Sequence, residues 1–425
     1  MNNTDLIIIG AGPGGYKAAE HAAKHGLSVT IFEERYVGGT CLNVGCIPTK
    51  TYVHSATFAE ATERQEQVVE ALRGGVETLL SQPGITLVRQ RATFVDAHTV
   101  ATPDGQQYTA PNIIVATGSS AKLLPIPGAD SKHVVTSTEL LALRQQPTRL
   151  CIVGAGVIGM EFASVFHRFG TEVTVVEYLK ECLPMLDSDI AKRLRKTLEK
   201  QGVTFYMGAG VKSVENGKVV FEQKGKEVQL EADIILMATG RKPNVSADFA
   251  ATGFEFDERR GIVVDAQFQT TVPSIYAIGD VNGRQMLAHA AEMQGIHVVN
   301  HILGQEDGIR FDVMPSAIFT TPEAACVGPS EDQLKADGQT FECHKAFYRA
   351  NGKALTMNAT EGMVKLYCEP NGGRLLSAHV FGAHAADLVQ EATAYITLGA
   401  TLHQLRDTVH IHPTLSEVLK SAAES

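Results

Sequence analysis

Cys41 and Cys46 are the residues that point most clearly to a chemical function, and they lie in a glycine-rich stretch that runs from Gly38 to Lys50. Four residues separate the two cysteines, so they can close as a small disulfide ring. Pro48 fits the first turn of a helix that begins near Cys46, and a helix N-terminus stabilises a thiolate. The pattern predicts a redox-active pair. Two buried structural thiols or half of a zinc site would also place two cysteines here, but no second cysteine pair or histidine cluster accompanies them. We therefore predict no metal site.

A glycine motif occurs twice, each time between a strand pattern and a helical pattern. The first copy is Gly10-Ala11-Gly12-Pro13-Gly14-Gly15, and the second is Gly154-Ala155-Gly156-Val157-Ile158-Gly159. In both copies an acidic residue, Glu33 or Glu177, lies 23 positions after the first glycine. This is the context of the dinucleotide fingerprint, in which the backbone approaches a pyrophosphate at a helix N-terminus and the acid binds ribose hydroxyls. We expect two dinucleotide sites, the alternative being that one copy is an empty remnant. A carboxylate at Glu177 suits the free 2'-hydroxyl of NAD and repels the 2'-phosphate of NADP.

The internal repeat continues beyond these motifs. Each half carries alternating strand patterns with a turn signal, Asp104-Gly105 or Asn216-Gly217. Each half then ends in an apolar strand and an Ala-Thr-Gly turn, at Gly118 and Gly240. Residues 49–80 between the motifs read as helical. From about residue 311 the pattern changes, with strands predicted at 317–320, 343–347, 363–368 and 375–381 and a helix at 385–405. The predicted fold class is α/β, with two Rossmann-like nucleotide-binding domains followed by a C-terminal α+β domain.

Length, charge and cysteine usage narrow the class of protein. A chain of 425 residues suggests about two to four domains. A net charge of −10 disfavours nucleic acid as a partner. No apolar run is long enough to span a bilayer, and no targeting segment is recognisable, so we expect no membrane partner and a cytoplasmic location. The seven cysteines are scattered and odd in number, which argues against a secreted disulfide framework.

Over essentially the whole chain, these motifs resemble those of the pyridine nucleotide-disulfide oxidoreductases. The amino-acid sequence of the cysteine motif, from Gly38 to Lys50, is most similar to that of the lipoamide branch of the family. The segment Thr271–Asp280 resembles the family's second FAD motif, which implies that Asp280 hydrogen-bonds the ribityl chain of FAD. The segment Met286–His289 resembles the lipoamide branch, where the backbone around Ala288 approaches the flavin ring.

The resemblance extends to the C-terminal pattern HxHPTxSE, which occupies residues 410–417. It implies that His412 is the acid–base group and that Glu417 orients it. In the family these two residues serve the disulfide of the other subunit, so the resemblance implies a homodimer. It also pairs Lys50, after the cysteines, with Glu161, in the second nucleotide helix, beside the flavin.

The same resemblance assigns the parts of the chain. It implies a tightly but non-covalently bound FAD, with NAD as the second cofactor. We expect residues 1–145 and 246–312 to form the FAD-binding region, 146–245 the NAD-binding domain and 313–425 the dimerisation domain. The residues expected to bind FAD are Gly10, Gly12, Gly14, Gly15, Glu33, Lys50, Gly118, Asp280 and Ala288. Those expected to bind NAD are Gly154, Gly156, Gly159, Glu177 and Gly240.

The implied activity is oxidation of protein-bound dihydrolipoyl groups to lipoyl groups. The substrate thiolate would attack Cys41, and Cys46 would face the flavin. The implied partners are the lipoylated carrier domains of 2-oxoacid dehydrogenase complexes or the glycine cleavage carrier protein. The segment from Lys50 to Ala116 is shorter than the lipoamide branch leads us to expect, and this bears on the approach of the substrate.

The same residues favour or disfavour the alternative activities. The alternative within the family is another FAD-dependent NAD(P)H disulfide reductase. Glu177 disfavours the NADP-dependent glutathione reductases. A non-catalytic assembly subunit would not need Cys41, Cys46, His412 and Glu417 together.

Overall fold

The structure is a computed structural model that describes residues 2–425. The chain divides into two compact units, each built from segments that are separate in sequence. The first unit contains the residues up to Ser55, with Ala59–Lys122 and Gly240–Ile309; the second contains Ala56–Phe58, Leu123–Thr239 and Arg310–Ser425. The four-part division predicted from the sequence, with boundaries at 145, 245 and 312, is finer than these two units and stays a prediction. Within residues 2–425, no helix combines the length and apolar character needed to cross a membrane.

The first unit is organised around a five-stranded parallel sheet. Its strand order is Ile275–Ala277, Asn112–Val115, Leu6–Ile9, Val29–Phe32, Ile85–Val88. Leu6–Ile9 is apolar throughout because it is central and buried on both faces. Helix Pro13–Lys24 connects it to Val29–Phe32, which confirms the predicted strand–helix–strand unit.

The remaining strands of this unit are Asn2–Asn3, Thr93–Phe94, Thr99–Ala101, Gln107–Thr109, Ser119–Ala121, Arg241–Pro243, Phe256–Asp257 and Gly261–Ile262. Its other helical segments are Gly39–Val44, Cys46–Val53, Phe58–Leu80 (which begins at the unit boundary), Ala247–Ala251, Gly279–Asn282 and Ala288–Ile302. A helix beginning at Cys46 was predicted and is confirmed. The continuous helix predicted over 49–80 is wrong at residues 54–57, where the chain leaves one helix and enters the next.

The second unit contains a matching five-stranded parallel sheet. Its strand order is Val134–Val135, Ile234–Met237, Arg149–Val153, Glu172–Glu177, Thr204–Met207. A three-stranded antiparallel sheet follows, formed by Ala209–Glu215, Lys218–Gln223 and Lys226–Glu231. Asn216 and Gly217 both have positive φ, 50° and 79°, as a two-residue type I′ hairpin requires. The predicted turn is therefore confirmed.

The C-terminal part of the second unit is a five-stranded antiparallel sheet. Its strand order is Ser316–Ile318, Glu323–Val327, Leu375–Gly382, Met363–Cys368, Glu342–Phe347. The helix predicted over 385–405 is two helices, Ala385–Thr397 and Leu402–Asp407, because Thr401 caps the second one with its side chain. The other helical segments of this unit are Ser137–Leu141, Val157–Arg168, Ser188–Gln201, Glu331–Ala336, Tyr348–Ala350, Gly352–Thr356 and Glu417–Ala423. The α/β class with a C-terminal α+β region is as predicted.

A buried cluster of charged groups, here called the Asp187 cluster, holds the C-terminal sheet to helix Ser188–Gln201 within this unit. Lys365 Nζ donates to both carboxylate oxygens of Asp187 at 2.9 Å and to Glu331 Oε2 at 2.9 Å. The Tyr367 hydroxyl donates to Asp187 Oδ2 at 2.5 Å. Asp187 also caps the helix by accepting from its second amide.

Candidate redox active site

Cys41 and Cys46 lie on two consecutive short helices that meet at Gly45. Neither thiol is in a disulfide in the structure; Cys41 is half-buried and Cys46 is exposed. The hydrogen bond with Cys46 and burial raise the pKa of Cys41, whereas the positive charge of Lys50 acts in the opposite direction. The two sulfur atoms are therefore in hydrogen-bonding contact beside a cation. Such a pair can exchange one proton and is placed to close as a disulfide.

The loop that carries the cysteines is held by an arginine from a neighbouring helix. The Asn43 side-chain amide donates to the carbonyl oxygens of Val37 and Gly39, both at 2.9 Å. Arg73 Nε, from helix Phe58–Leu80, donates to Asn43 Oδ1 at 2.9 Å. Sequence reasoning missed Arg73, because nothing in its local pattern indicates which loop it reaches.

The first glycine loop fits a dinucleotide. Gly12 is the N-cap of helix Pro13–Lys24 with extended backbone angles, φ −73° and ψ −176°, and no side chain caps the helix. The first-turn amides are therefore left for a ligand, as in pyrophosphate sites. A Cβ at Gly12 would have no neighbour closer than 3.9 Å, whereas one at Gly15 would collide with the carbonyl oxygen of Gly10. Gly14 lies against the backbone of Ala291, so glycine is needed at these two positions for helix packing.

The second glycine loop repeats the first closely. Gly156 is the N-cap of helix Val157–Arg168 at φ −76° and ψ −172°, again without a side-chain cap. A Cβ at Gly159 would collide with the carbonyl oxygen of Gly154, and one at Gly156 would meet nothing within 4 Å. The same open space above an uncapped helix is therefore present in both units.

The acidic residues of the two fingerprints also hold the glycine loops. Glu33 Oε2 accepts from the Ala11 amide at 2.9 Å, and Glu177 Oε2 accepts from the Ala155 amide at 2.5 Å. The other oxygen of each carboxylate accepts from the amide two residues further on, at 2.9 and 2.7 Å. Sequence reasoning assigned these residues only to ribose hydroxyls, and that role stays a prediction.

Asp280 lies in a hydrogen-bonded cluster that the sequence did not reveal. The Ser119 hydroxyl donates to Asp280 Oδ2 at 2.5 Å. Arg241 Nε donates to the same hydroxyl oxygen at 2.6 Å and lies 3.7 Å from Asp280 Oδ2. Ser119 and Arg241 directly follow the two Ala-Thr-Gly turns, after Gly118 and Gly240, on strands that pair with each other. The repeated turn could have indicated both residues.

Three more predicted residues lie at defined places in the fold. Gly240, expected to bind NAD, belongs to the first unit, at its boundary. Ala288 is the first residue of helix Ala288–Ile302, which has no side-chain cap. Glu161 is buried and accepts from the Phe319 amide at 2.9 Å within the second unit. Its pairing with Lys50, a residue of the first unit, stays a prediction.

His412 is oriented by Glu417. Its Nδ1 lies 2.9 Å from Glu417 Oε1, and the other carboxylate oxygen accepts from the Thr414 amide at 2.9 Å. These bonds, from Thr414 first and His412 second, lower the pKa of Glu417. An ionised carboxylate only accepts, so Nδ1 carries a proton, and in the neutral ring Nε2 presents its lone pair. The His412 side chain is 78% exposed, so this lone pair is accessible to a partner molecule.

The neighbouring His410 is arranged differently. Its side chain is buried, with Nδ1 at 2.9 Å from the Thr408 carbonyl oxygen and Nε2 at 3.1 Å from Glu391 Oε1. Both of its ring nitrogens are therefore engaged. Of the two histidines in the motif, only His412 offers an accessible nitrogen.

Comparison with known proteins gives consistent matches along the chain. Residues 4–295 match the family described as pyridine nucleotide-disulphide oxidoreductase, and residues 314–423 match its dimerisation domain. Dihydrolipoyl dehydrogenase 2, mitochondrial, of Arabidopsis thaliana is 37% identical over 99% of this chain and 90% of its own length. Dihydrolipoyl dehydrogenase of Staphylococcus aureus is 38% identical over 99% of this chain and 96% of its own. The solved HOCl-induced flavoprotein disulfide reductase RclA from Escherichia coli superposes with a TM-score of 0.91 at 31% identity, covering 99% of both chains.

Proposed function

The chain belongs to the pyridine nucleotide-disulphide oxidoreductase family, and from that premise we propose that it is an FAD-dependent dihydrolipoamide dehydrogenase. It oxidises the dihydrolipoyl group of a carrier protein to the lipoyl group, with NAD as the acceptor. The observation that carries the proposal is that both halves of the required chemistry are present. A contacting thiol pair lies beside Lys50, and an accessible histidine is oriented by Glu417. Relatives named dihydrolipoyl dehydrogenase, at 37–38% identity over nearly the whole chain, support the choice of substrate.

The two cofactors have separate cradles. Members of this family use FAD and a pyridine nucleotide, and this chain has one glycine loop for each. The loop at Gly12 with Glu33 would hold the adenine dinucleotide part of FAD, and Asp280 would hold its ribityl chain. The loop at Gly156 with Glu177 would hold NAD. When bound, FAD supplies the two-electron chemistry that connects the enzyme dithiol to NAD.

His412 performs the proton transfer that the reaction needs. Its Nε2 lone pair takes the proton of one substrate thiol and leaves a thiolate, which is the nucleophilic form. Glu417 fixes the ring so that this nitrogen faces outward, and it balances the positive charge that the ring then carries. The proton stays at Nε2 until a cysteine thiolate of the reduced enzyme or solvent takes it.

Thiol–disulfide exchange then takes place at the cysteine pair. In the oxidised enzyme the Cys41–Cys46 bond is intact, and the substrate thiolate attacks the sulfur of Cys41, which releases Cys46 as a thiolate. The second substrate thiol loses its proton and attacks the substrate sulfur that is bonded to Cys41, and the Cys41 thiolate that leaves takes up a proton. The substrate therefore leaves as a cyclic disulfide, and the enzyme holds two more electrons. The start of helix Cys46–Val53 stabilises the thiolate of Cys46. Because Cys46 is the more exposed thiol, the assignment of the attacked sulfur to Cys41 rests on the family resemblance.

The test is NADH formation by purified, FAD-loaded protein from NAD and dihydrolipoamide. Cys41→Ser and Cys46→Ser should each abolish turnover while retaining bound flavin. Cys343→Ser changes a half-buried thiol elsewhere in the chain and is the matched control, which should retain full activity. Turnover in either redox-pair variant at the wild-type rate would refute the scheme. Failure of the wild type with flavin and both thiols present would exclude this substrate.

The active protein is proposed to be a homodimer in which His412 serves the cysteines of the partner subunit. The match to the family's dimerisation domain supports this. So does the surface around His412, where Val409 and Ile411 are 93% and 79% exposed. Apolar side chains grouped on a surface mark a site of association.

Subunit complementation tests the shared site directly. Cys41→Ser and His412→Gln proteins are each expected to be inactive alone. Unfolded and refolded together in equal amounts, they should give about a quarter of wild-type activity, because half of the symmetric dimers are mixed and each has one intact site. A mixture as inactive as its components would show that each site lies within one subunit.

The second candidate is a disulfide reductase that consumes NADH. The Escherichia coli disulfide reductase favours it, since that protein and this chain cover 99% of each other. Comparing NADH oxidation by small disulfides with dihydrolipoamide oxidation separates the two functions. The lipoylated carrier and the cytoplasmic location stay predictions; the name of the Arabidopsis relative places that protein in mitochondria.

A further inference from the structure

Two neighbouring strands of the C-terminal sheet bring together three potential metal ligands. Glu342 and His344 are two residues apart on strand Glu342–Phe347, so their side chains lie on one face of the sheet. Cys368, the last residue of strand Met363–Cys368, is paired directly with Glu342 in the antiparallel register. A carboxylate oxygen, an imidazole nitrogen and a thiol sulfur are thus placed within 4.8 Å of one another.

The imidazole of His344 is oriented as a metal-binding histidine is. Its Nδ1 lies 2.8 Å from the backbone oxygen of Ser425. That oxygen only accepts, so Nδ1 carries a proton, and in the neutral ring Nε2 has the lone pair. Nε2 is buried and has no hydrogen-bond partner among the described residues. Metal-binding histidines typically donate their other N–H to a carboxylate or a backbone oxygen in this way.

The carboxylate of Glu342 is held from behind by a turn. Its Oε1 accepts from the Asn371 amide at 2.9 Å, and its Oε2 accepts from the Gly372 amide at 3.2 Å. Oε2 also lies 3.6 Å from His344 Nε2 and 4.0 Å from Cys368 Sγ. When the ring is neutral, the carboxylate has no hydrogen to donate to the Nε2 lone pair, so the two groups face one another as acceptors.

The spacing is close to that of a tetrahedral zinc site. Zinc bond lengths of roughly 2.0 Å to oxygen or nitrogen and about 2.3 Å to sulfur imply separations between ligand atoms of about 3.3–3.6 Å. The distances from Glu342 Oε2 exceed these values by a few tenths of an ångström. The third separation, between the His344 nitrogen and the Cys368 sulfur, lies within 4.8 Å, so the three side chains would have to draw together when the ion binds.

We propose that Glu342, His344 and Cys368 form a binding site for a borderline-soft divalent transition-metal ion, Zn²⁺ in the first place. Nitrogen, sulfur and carboxylate ligands together suit this ion, and a water molecule would supply the fourth ligand. The bound ion would fasten the ends of two strands to the 369–373 turn and to Ser425. The sequence led us to expect no metal, because only the strand register brings Cys368 to two residues more than twenty positions earlier. The site is independent of the proposed function.

The test uses FAD-loaded protein without an affinity tag, in a Cys41→Ser/Cys46→Ser background that removes the redox pair as a competing thiol site. Zn²⁺ binding is measured by calorimetry. Co²⁺ is the spectroscopic probe, read at wavelengths beyond the flavin bands and by its thiolate charge-transfer band in difference spectra. One equivalent should bind, and the Co²⁺ spectrum should show four-coordinate geometry with a thiolate ligand.

Three variants in that background identify the ligands. Cys368→Ser and His344→Ala should each weaken Zn²⁺ binding by more than about 100-fold, beyond the 10–100-fold typical of outer partners. Cys343→Ser is the matched control, because it removes a neighbouring thiol whose side chain lies on the opposite face of the strand. It should bind Zn²⁺ as the background protein does. Absence of Zn²⁺ binding in the folded background protein would overturn the proposal, as would binding that survives His344→Ala unchanged. The His344 variant decides the question if the buried Cys368→Ser substitution prevents folding.

Discussion

The Asp187 cluster gives the sharpest stability prediction, through the substitution Lys365→Met. The Lys365 side chain is 1% exposed and makes three charge-assisted hydrogen bonds, two to Asp187 and one to Glu331, all at 2.9 Å. Removing it leaves the fully buried Asp187 carboxylate with no cation. Breaking a buried ion pair on one side costs about 3–5 kcal/mol. At roughly 2–4 °C per kcal/mol for a unit of this size, the melting temperature should fall by about 6–20 °C.

Lys335→Met is the matched control, because Lys335 also bonds to Glu331. Its ammonium lies 2.6 Å from Glu331 Oε1, but its side chain is 62% exposed. An exposed pair one helical turn apart contributes about 0.3–0.5 kcal/mol, so the melting temperature should fall by less than about 2 °C. Thermal unfolding followed by circular dichroism, with flavin release recorded in parallel, measures both variants.

A double variant tests the cause of the loss. Asp187→Asn keeps an oxygen that can cap helix Ser188–Gln201 but removes the charge. If the cost of Lys365→Met is the stranded carboxylate, adding Asp187→Asn should restore part of the lost stability. Equal effects of Lys365→Met and Lys335→Met would refute this account of the cluster. So would a double variant less stable than Lys365→Met alone.

The Asp187 cluster should also be sensitive to acid, because hydrogen bonds from Lys335 first and Lys365 second lower the pKa of Glu331 from 4.5 to about 2. The ionised Glu331 therefore stabilises the fold fully above pH 4.5, and this stabilisation is lost as the pH falls towards 2. Unfolding curves measured across this pH range would reveal the loss. Gly159→Ala should abolish NAD binding or destabilise the second unit, because the added carbon collides with a backbone oxygen. The added carbon of Gly156→Ala meets no protein atom within 4 Å, so this variant should weaken only the affinity for NAD, as measured by titration. Glu417→Gln should lower the turnover number roughly 10–100-fold with little change in flavin content, since it removes the charge that orients the base; unchanged turnover would exclude that role. A clear kinetic preference of the wild type for NADP would contradict the assignment of Glu177.

The features that were predicted correctly from the sequence depend on residues that are close together in the chain. The glycine loops, the helix that begins at Cys46 and the Asn216-Gly217 hairpin each follow from neighbouring residues whose backbone angles are nearly dictated by their type. The break at residues 54–57 was missed because helical periodicity on both sides hides a short interruption. Ser119 with Arg241, and Arg73 with Asn43, were missed because hydrogen bonds between distant segments leave no local pattern. The Asp187 cluster escaped for the same reason, since a lysine inside a strand pattern ordinarily reads as an exposed residue.

The short segment between Lys50 and Ala116 contains one partner of such a long-range hydrogen bond, between Arg73 and Asn43. The alignment with the Arabidopsis relative spans 456 positions and covers nearly the whole of a 425-residue chain, so that relative has residues this chain lacks. The family resemblance predicts that the missing residues fall in this segment. Arg73 lies in the long helix of the segment, Phe58–Leu80, and its side chain is hydrogen-bonded to Asn43 in the cysteine loop. A deletion that removed or rotated this part of the helix would remove the hydrogen bond from Arg73 to Asn43. We therefore expect Arg73→Ala to loosen the cysteine loop and to lower turnover, because it removes the side-chain bond from the long helix to Asn43.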